Sequence, residues 1–358
     1  MLTAAILVTA CSSGASTTPP TSGAPSGQPA ATASQPAATA SQPAATASLS
    51  GTLTIYSGRS ESLVGPLVER FRTETGIDVQ VKYAGTTELA STILEEGDAS
   101  PADVFFSQDG GALGAIAAEG RLAPVPAASL DLVDARYRSP DGVWVGVSGR
   151  ARVVAYDTRA LSEADLPTSI VGYADPAWKG KIGWAPTNAS FQTFVTAFRV
   201  LEGEAEAKAW LEAVQANQPK VYDGNDAVLA ALAAGEIEVG FINHYYLMRQ
   251  LTEQGDSFPV RNHFLPGGDV GALVNVAGAG VLTSARNPEA ANAFIAFLLS
   301  PESQSYFATE TYEYPLVEGM EADPRLVPLT EIQAPDIDLS ELADLEGTLR
   351  LLQEAGVL

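Results

Sequence analysis

From residue 51 onward, short apolar runs alternate with longer stretches in which apolar residues recur every three or four positions. Segment 53–57 (LTIYS) reads as a strand that Gly58 breaks. Leu63, Val64, Leu67, Val68 and Phe71 then recur at helical spacing, and Gly76 supplies the stop. Residues 77–83 alternate as a second strand, 87–96 read as a helix, 103–106 as a buried strand and 110–119 as a helix of small residues. Strand and helix in strict alternation predict an α/β fold with a mostly parallel sheet. The pattern returns further along. Strands are expected at 182–185, 220–222, 239–243 and 280–283, and helices at 204–215, 226–234, 246–255 and 288–299, the last with Pro288 in its first turn. A folded stretch of this length exceeds what one hydrophobic core serves, so two α/β lobes are expected.

Ligands of open α/β sheets bind where strands end and helices begin. Segments 56–61, 107–110, 187–191, 224–226 and 243–246 sit at such junctions and are expected to face one cleft.

The first fifty residues have a different texture. Residues 1–10 (MLTAAILVTA) form a short apolar run that ends at Cys11, and Val8-Thr9-Ala10-Cys11 resembles the lipobox of bacterial lipoproteins. By that resemblance the Cys11 thiol carries diacylglycerol; an ordinary signal peptide with an incidental cysteine is the competing reading. The usual basic stretch before the apolar run is absent, which a start codon upstream of Met1 would explain. Residues 12–48 contain no charge and no aromatic, and QPAATAS repeats in tandem from Gln28, Gln35 and Gln42. Such a stretch cannot bury enough apolar surface to offset its ordering entropy. It reads as a tether spanning roughly 35 Å. No later apolar run approaches the ~18 residues a spanning helix needs.

Composition narrows the function. Acidic residues outnumber basic ones 43 to 20, for a net charge of −23. Nucleic acid and anionic membrane both reward Lys and Arg clusters, so neither is an expected partner. Cys11 is the only cysteine, which excludes an internal disulfide or zinc framework. The two histidines, His244 and His263, are too few for a His-rich metal site. No nucleophile elbow, phosphate loop or zinc-protease motif occurs, and an enzyme is not expected.

Several segments are familiar. Leu53-Thr54-Ile55-Tyr56-Ser57-Gly58-Arg59, Glu74-Thr75-Gly76-Ile77 and Pro101-Ala102-Asp103-Val104-Phe105-Phe106 resemble the first lobe of periplasmic ferric-ion-binding proteins. Ser148-Gly149-Arg150-Ala151-Arg152-Val153-Val154, Trp178-Lys179-Gly180-Lys181-Ile182-Gly183, Asn243-His244-Tyr245-Tyr246 and Glu313-Tyr314-Pro315-Leu316 continue the likeness over residues 52–358. The resemblance implies a two-lobed periplasmic-binding-protein fold of type II, with two crossover strands and the ligand cleft between the lobes. Behind a leader (1–11) and a tether (12–50), it assigns 51–150 plus 276–326 to one lobe and 151–275 plus 327–358 to the other. It also implies a monomer outside the cytoplasm, held to the membrane only by Cys11. Such a monomer closes on its solute and delivers it, without catalysis, to the permease and ATPase subunits of an ABC importer.

Within that resemblance Tyr245 and Tyr246 are the expected metal ligands. Fe3+ is a small, hard cation that prefers anionic oxygen, and a phenolate supplies it once the metal displaces the proton. Neighbouring residues in a helix body point about 100° apart, so a pair reaches one ion more easily at a helix mouth. Many family members add a histidine and a glutamate, whose positions fall on Ser60 and Gln108; others add a third tyrosine, where this chain has Asn188. Two phenolates leave a ferric shell incomplete. The family fills such a gap with a synergistic anion such as carbonate. Arg59 and Arg150 are expected to hold it through planar guanidinium forks, with Thr187, Asn225 and Asn243 as neutral neighbours. The competing use of each arginine is a salt bridge, and that of His244 is simple packing away from the cleft. The alternative function is a binding protein of the same fold for a small organic or oxyanion solute without metal.

Overall fold

The structure, a computed structural model, describes residues 49–358. Cys11 and the QPAATAS tether lie outside the described residues.

The chain begins with alternating elements: β1 (Thr52–Ser57), α1 (Glu61–Thr75), β2 (Asp78–Tyr83), α2 (Thr86–Glu96), β3 (Val104–Ser107) and α3 (Gly110–Ala118). Gly76 closes α1 in the left-handed conformation, its N–H returning to the Arg72 carbonyl. β4 (Leu122–Ala123) and α4 (Ala127–Leu130) lead into the long β5 (Val145–Asp157). There follow β6 (Ile182–Trp184), α5 (Ala189–Glu202), α6 (Glu204–Ala216), β7 (Lys220–Val221), α7 (Asn225–Ala234), β8 (Val239–Asn243), α8 (Tyr245–Gln254) and β9 (Val260–His263). The chain ends with β10 (Val274–Leu282), α9 (Pro288–Leu298), α10 (Pro301–Thr309), β11 (Tyr314–Pro315) and α11 (Leu345–Glu354).

The strands order as β2-β1-β3-β10-β5-β8-β6-β7. β2, β1 and β3 are mutually parallel, as are β7, β6 and β8. Between these two parallel sets stand β10 and β5, antiparallel to their neighbours. The two sets are the lobes of a type II periplasmic-binding-protein fold. β5 changes partners in mid-strand. Its first half, through Ala151, pairs with β10, whereas Arg152–Tyr156 pair with β8 and Val154–Asp157 with β9.

One expected strand is longer in the structure and a second long strand was not expected. The strand expected at 280–283 is only the end of β10, and β5 was legible as a motif rather than as a strand. Both carry Gly and Ala within the run, which weaken the local strand signal. Burial on both faces overrides it, since every residue of β5 and β10 is buried.

Each lobe has an aromatic nucleus. In the first, Phe71 packs against Phe294 and Phe297, with Phe106 behind. In the second, Phe191, Phe194, Phe198, Trp210 and Phe241 form a continuous run. The C-terminal segment touches both lobes. Leu339–Ala343 lies directly on α3, where a Cβ at Gly111 would stand 2.3 Å from the Leu342 carbonyl oxygen. α11 then packs on the second lobe, joining Thr348 to Thr196 of α5 and Glu354 to Lys208 of α6.

Candidate functional site

β5 carries Ser148, Arg150 and Arg152 at alternate positions, which a strand places on one face. All three are buried. The strand passes beside the loop after β1, the loop after β3 and the start of α8, so the junctions meet at the lobe crossover.

The loop after β1 needs Gly58. A Cβ there would stand 2.0 Å from the Thr86 hydroxyl of α2. Ser57 Oγ donates to the Arg59 carbonyl and accepts from its N–H, which turns the Arg59 side chain inward. Its guanidinium pairs with Glu313, just before β11, and Ser148 donates to the other carboxylate oxygen at 2.5 Å. Burial opposes the charge on Arg59, but Glu313 and the nearby tyrosines hold it above its ordinary pKa.

Arg150 and Arg152 are different. Arg150 donates to the Gln108 carbonyl, and burial together with neighbouring Arg59 lowers its pKa. Arg152 lies against the rings of Phe191 and Phe194, 6.0 and 5.5 Å from their centroids. It donates to Ser190 Oγ at 3.3 Å and Asn243 Oδ1 at 3.4 Å, and burial lowers it to about 9 despite Tyr246 nearby. Neither forms an ion pair among the described residues. Glu313 and Asp109 offset part of the lowering of Arg150, while burial pushes the Asp109 carboxyl itself up.

Tyr245 and Tyr246 are the first two residues of α8. Their rings stack with centroids 4.3 Å apart and planes 27° from parallel. Neither phenol oxygen has a hydrogen-bond partner among the described residues. Burial raises the Tyr245 phenol well above its ordinary pKa and Tyr246 adds to this, while Arg59 and Arg150 pull it back. The preceding His244 is fully buried, with its ring 4.7 Å from that of Tyr314. Burial lowers its pKa to about 4.

The neutral residues divide. Asn188 caps α5, its Oδ1 accepting from Ser190 N–H at 3.0 Å and Ser190 Oγ at 2.6 Å. Asn225 Nδ2 reaches the same Ser190 Oγ at 3.3 Å, and Asn243 reaches Arg152. Asn188, Asn225 and Asn243 thus converge on one Ser190–Arg152 network. Thr187 is exposed one residue outside it. Ser60 is exposed, with its hydroxyl 3.1 Å from that of Ser62. Gln108 contributes its carbonyl to Arg150 rather than a side-chain donor.

Arg152, Ser148, Ser190 and Glu313 carry roles that motif reading missed. The alternation Ser148-x-Arg150-x-Arg152 was the available signal for two of them. Glu313 stood in a segment that carried the resemblance, but nothing local tied it to Arg59, 254 residues away. Among the described residues no cluster of three or more His, Cys, Asp or Glu side chains could hold a metal. The Tyr245 phenol lies near Arg150 and the Tyr246 phenol near Arg152, and Glu313 and Asp109 also act on Arg150. A cavity of about 140 Å³ lies to one side, between α2, α3 and α5, bounded by Asp109 and Gln192 but by neither tyrosine.

The sequence profile of the bacterial extracellular solute-binding proteins matches residues 99–340. The chain belongs to this family. The solute-binding protein is 38% identical over 310 residues to the major ferric iron-binding protein of Neisseria meningitidis serogroup B, covering 85% of this chain and 93% of that one. Its fold is similar to that of iron-bound HitA from Pseudomonas aeruginosa, with a TM-score of 0.80, 36% identity and coverage of 85% and 99% of the two chains. It is also similar to the Trichodesmium protein IdiA (FutA) in complex with iron and citrate, with a TM-score of 0.75, 29% identity and coverage of 86% and 100%.

Proposed function

We propose that this solute-binding protein takes ferric iron as its cargo, bound at the crossover by the phenolates of Tyr245 and Tyr246. The observation that carries the reading is the stacked phenol pair, free of hydrogen-bond partners among the described residues, beside two buried arginines that form no ion pair among them. A buried cation without a partner is costly, so the site is arranged for incoming negative charge. Phenolates formed as iron displaces their protons supply part of it. Relatives named for ferric iron, at 38% identity over most of both chains, support the same cargo.

Charge balance then calls for an anion. Two phenolates leave one charge of Fe3+ uncompensated, and Arg150 and Arg152 add two more. A carbonate, or another oxyanion of multiple charge, suits a site walled by guanidinium groups with Asn225 and Asn243 as neutral neighbours. Arg59, already joined to Glu313, steadies Tyr245 more than it adds charge. The loaded protein delivers iron to the permease of an ABC importer from a lipid anchor at Cys11.

The test is an absorption spectrum after ferric loading in bicarbonate. Phenolate-to-iron charge transfer is expected to colour the protein orange to red. A colourless protein would overturn the iron assignment. It would favour the second reading, an oxyanion or organic-anion solute held by Arg150 and Arg152 without metal.

A further inference from the structure

Every polar group of His244 is committed, and the partners come from three separate segments. Its backbone N–H donates to the Ala151 carbonyl at 3.0 Å, and Ala151 N–H donates back to Nδ1 at 3.1 Å. Its carbonyl accepts from Asn262 Nδ2 of β9 at 2.9 Å. With Nδ1 accepting, the proton sits on Nε2, which donates to the Tyr312 carbonyl at 2.8 Å. Ala151 is the last β5 residue paired with β10 before the strand changes lobes. The reciprocal pair therefore fastens the mouth of α8 to the crossover itself.

Tyr312 is the second half of the device. Its φ of 57° is left-handed, a conformation a non-glycine residue keeps only when its surroundings hold it there. Its carbonyl takes the His244 ring at the start of α8, and its hydroxyl lies 2.9 Å from that of Thr252, further along the same helix. Arg325 covers its ring at 5.2 Å. The next residue, Glu313, holds Arg59 and Ser148 in the first lobe. Adjacent residues thus grip α8 on one side and Arg59 on the other.

We infer that His244 is the positioning residue of the phenol pair. It locks the first turn of α8 between the crossover strand and the Tyr312 carbonyl, so that iron retention depends on the Tyr312–Glu313 segment staying in place. The inference rests on Tyr245 and Tyr246 being the iron ligands. His244 touches no metal in this scheme. It fixes the backbone from which both phenols project, and any shift of β5 or of Tyr312 during lobe opening is passed to them.

The test compares full-length parent, His244→Phe, His244→Gln and Thr252→Val, each loaded with ferric salt in bicarbonate. Release of iron to excess competing chelator is followed at the charge-transfer band. His244→Phe keeps a ring against Tyr314 and both phenols, so it is expected to load. Its band should shift, and release should quicken about tenfold, the loss expected for a buried hydrogen-bonded anchor. His244→Gln, which can still donate to the Tyr312 carbonyl, should recover part of the difference. Thr252→Val, at an exposed position that also bonds the Met248 carbonyl and Arg325, should quicken release about threefold by loosening Tyr312 from α8, and His244→Gln decides the role of His244 if His244→Phe does not fold. Parent-like release in the loaded variants, even with a lower melting temperature of the iron-free form, would overturn the inference by reducing His244 to a structural role. A colourless parent instead removes the iron reading beneath it, and the inference falls with that reading.

Discussion

Arg59 and Glu313 lie 254 residues apart in the chain and meet as an ion pair with both side chains buried. One follows the first strand of the first lobe, and the other precedes β11, which lies on the crossover strand β5. Removing one partner of such a pair strands the other charge in a low-dielectric setting. Glu313→Gln is expected to cost about 3–5 kcal/mol in chemical denaturation. Arg59→Met/Glu313→Leu should recover most of that loss. A single variant as stable as the parent would show that water reaches the pair.

Tyr245→Phe and Tyr246→Phe each remove an oxygen that has no hydrogen-bond partner among the described residues. Each is therefore expected to leave the iron-free protein within about 0.5 kcal/mol of the parent. Each should weaken or shift the ferric band, and the double substitution should abolish it. Difference spectra during ferric titration check this. Survival of the full band in the double variant would place the iron elsewhere.

Arg152 sets function against stability. Burial lowers its pKa to about 9, so at neutral pH the fold holds this cation at a cost on the order of a few kcal/mol. Arg152→Met keeps the packing on Phe191 and Phe194. The expected outcome is a higher melting temperature for the iron-free protein and a loss of bicarbonate-dependent loading of about 1.5–3 kcal/mol. Thermal unfolding and loading at graded bicarbonate read the two halves separately. Equal loading in carbonate-free buffer would exclude the anion.

His244 contributes a pH dependence of known sign. Its folded pKa is lowered from 6.5 to about 4, so the unfolded chain binds this proton first. Its contribution to stability is full above the unfolded value and is lost as pH falls toward 4. The total is about 3 kcal/mol. His244→Phe removes this component, so the gap between parent and variant should narrow on acidification. Denaturation midpoints of iron-free protein from pH 7 to pH 4 measure it. Parallel curves would mean that His244 is accessible to water.

Cys11→Ser is expected to release the protein from the membrane fraction without altering ferric binding. Retention of the variant on membranes in detergent-free fractionation would rule out the lipid anchor.

The sequence alone determined the class of fold, because strand and helix periods are local and survive in the order of apolar residues. It also determined the phenol pair as a unit. Tyr245 and Tyr246 are adjacent, and the strand before them ends at Asn243 as its apolar run predicts. Motif likeness pointed Arg59, Arg150, Asn188 and Asn243 at one cleft, and the strand-to-helix junction at 224–226 added Asn225. What it could not separate was the use of each arginine. Arg59 and Arg150 look alike in a motif, and only tertiary structure decides that Glu313 pairs with one while the other forms no ion pair among the described residues. Arg152, inside a quoted motif, gained its meaning from the face of a strand that glycine and alanine had hidden. Ser60 stands at the expected loop but on its exposed side, since the turn held by Ser57 directs Arg59, not Ser60, inward. His244 shows the limit most plainly. Its four hydrogen bonds come from residues 151, 262 and 312. Hydrogen bonds across such separations have no local periodicity, and they form only when the chain crosses between the lobes and the two halves of β5 find different partners.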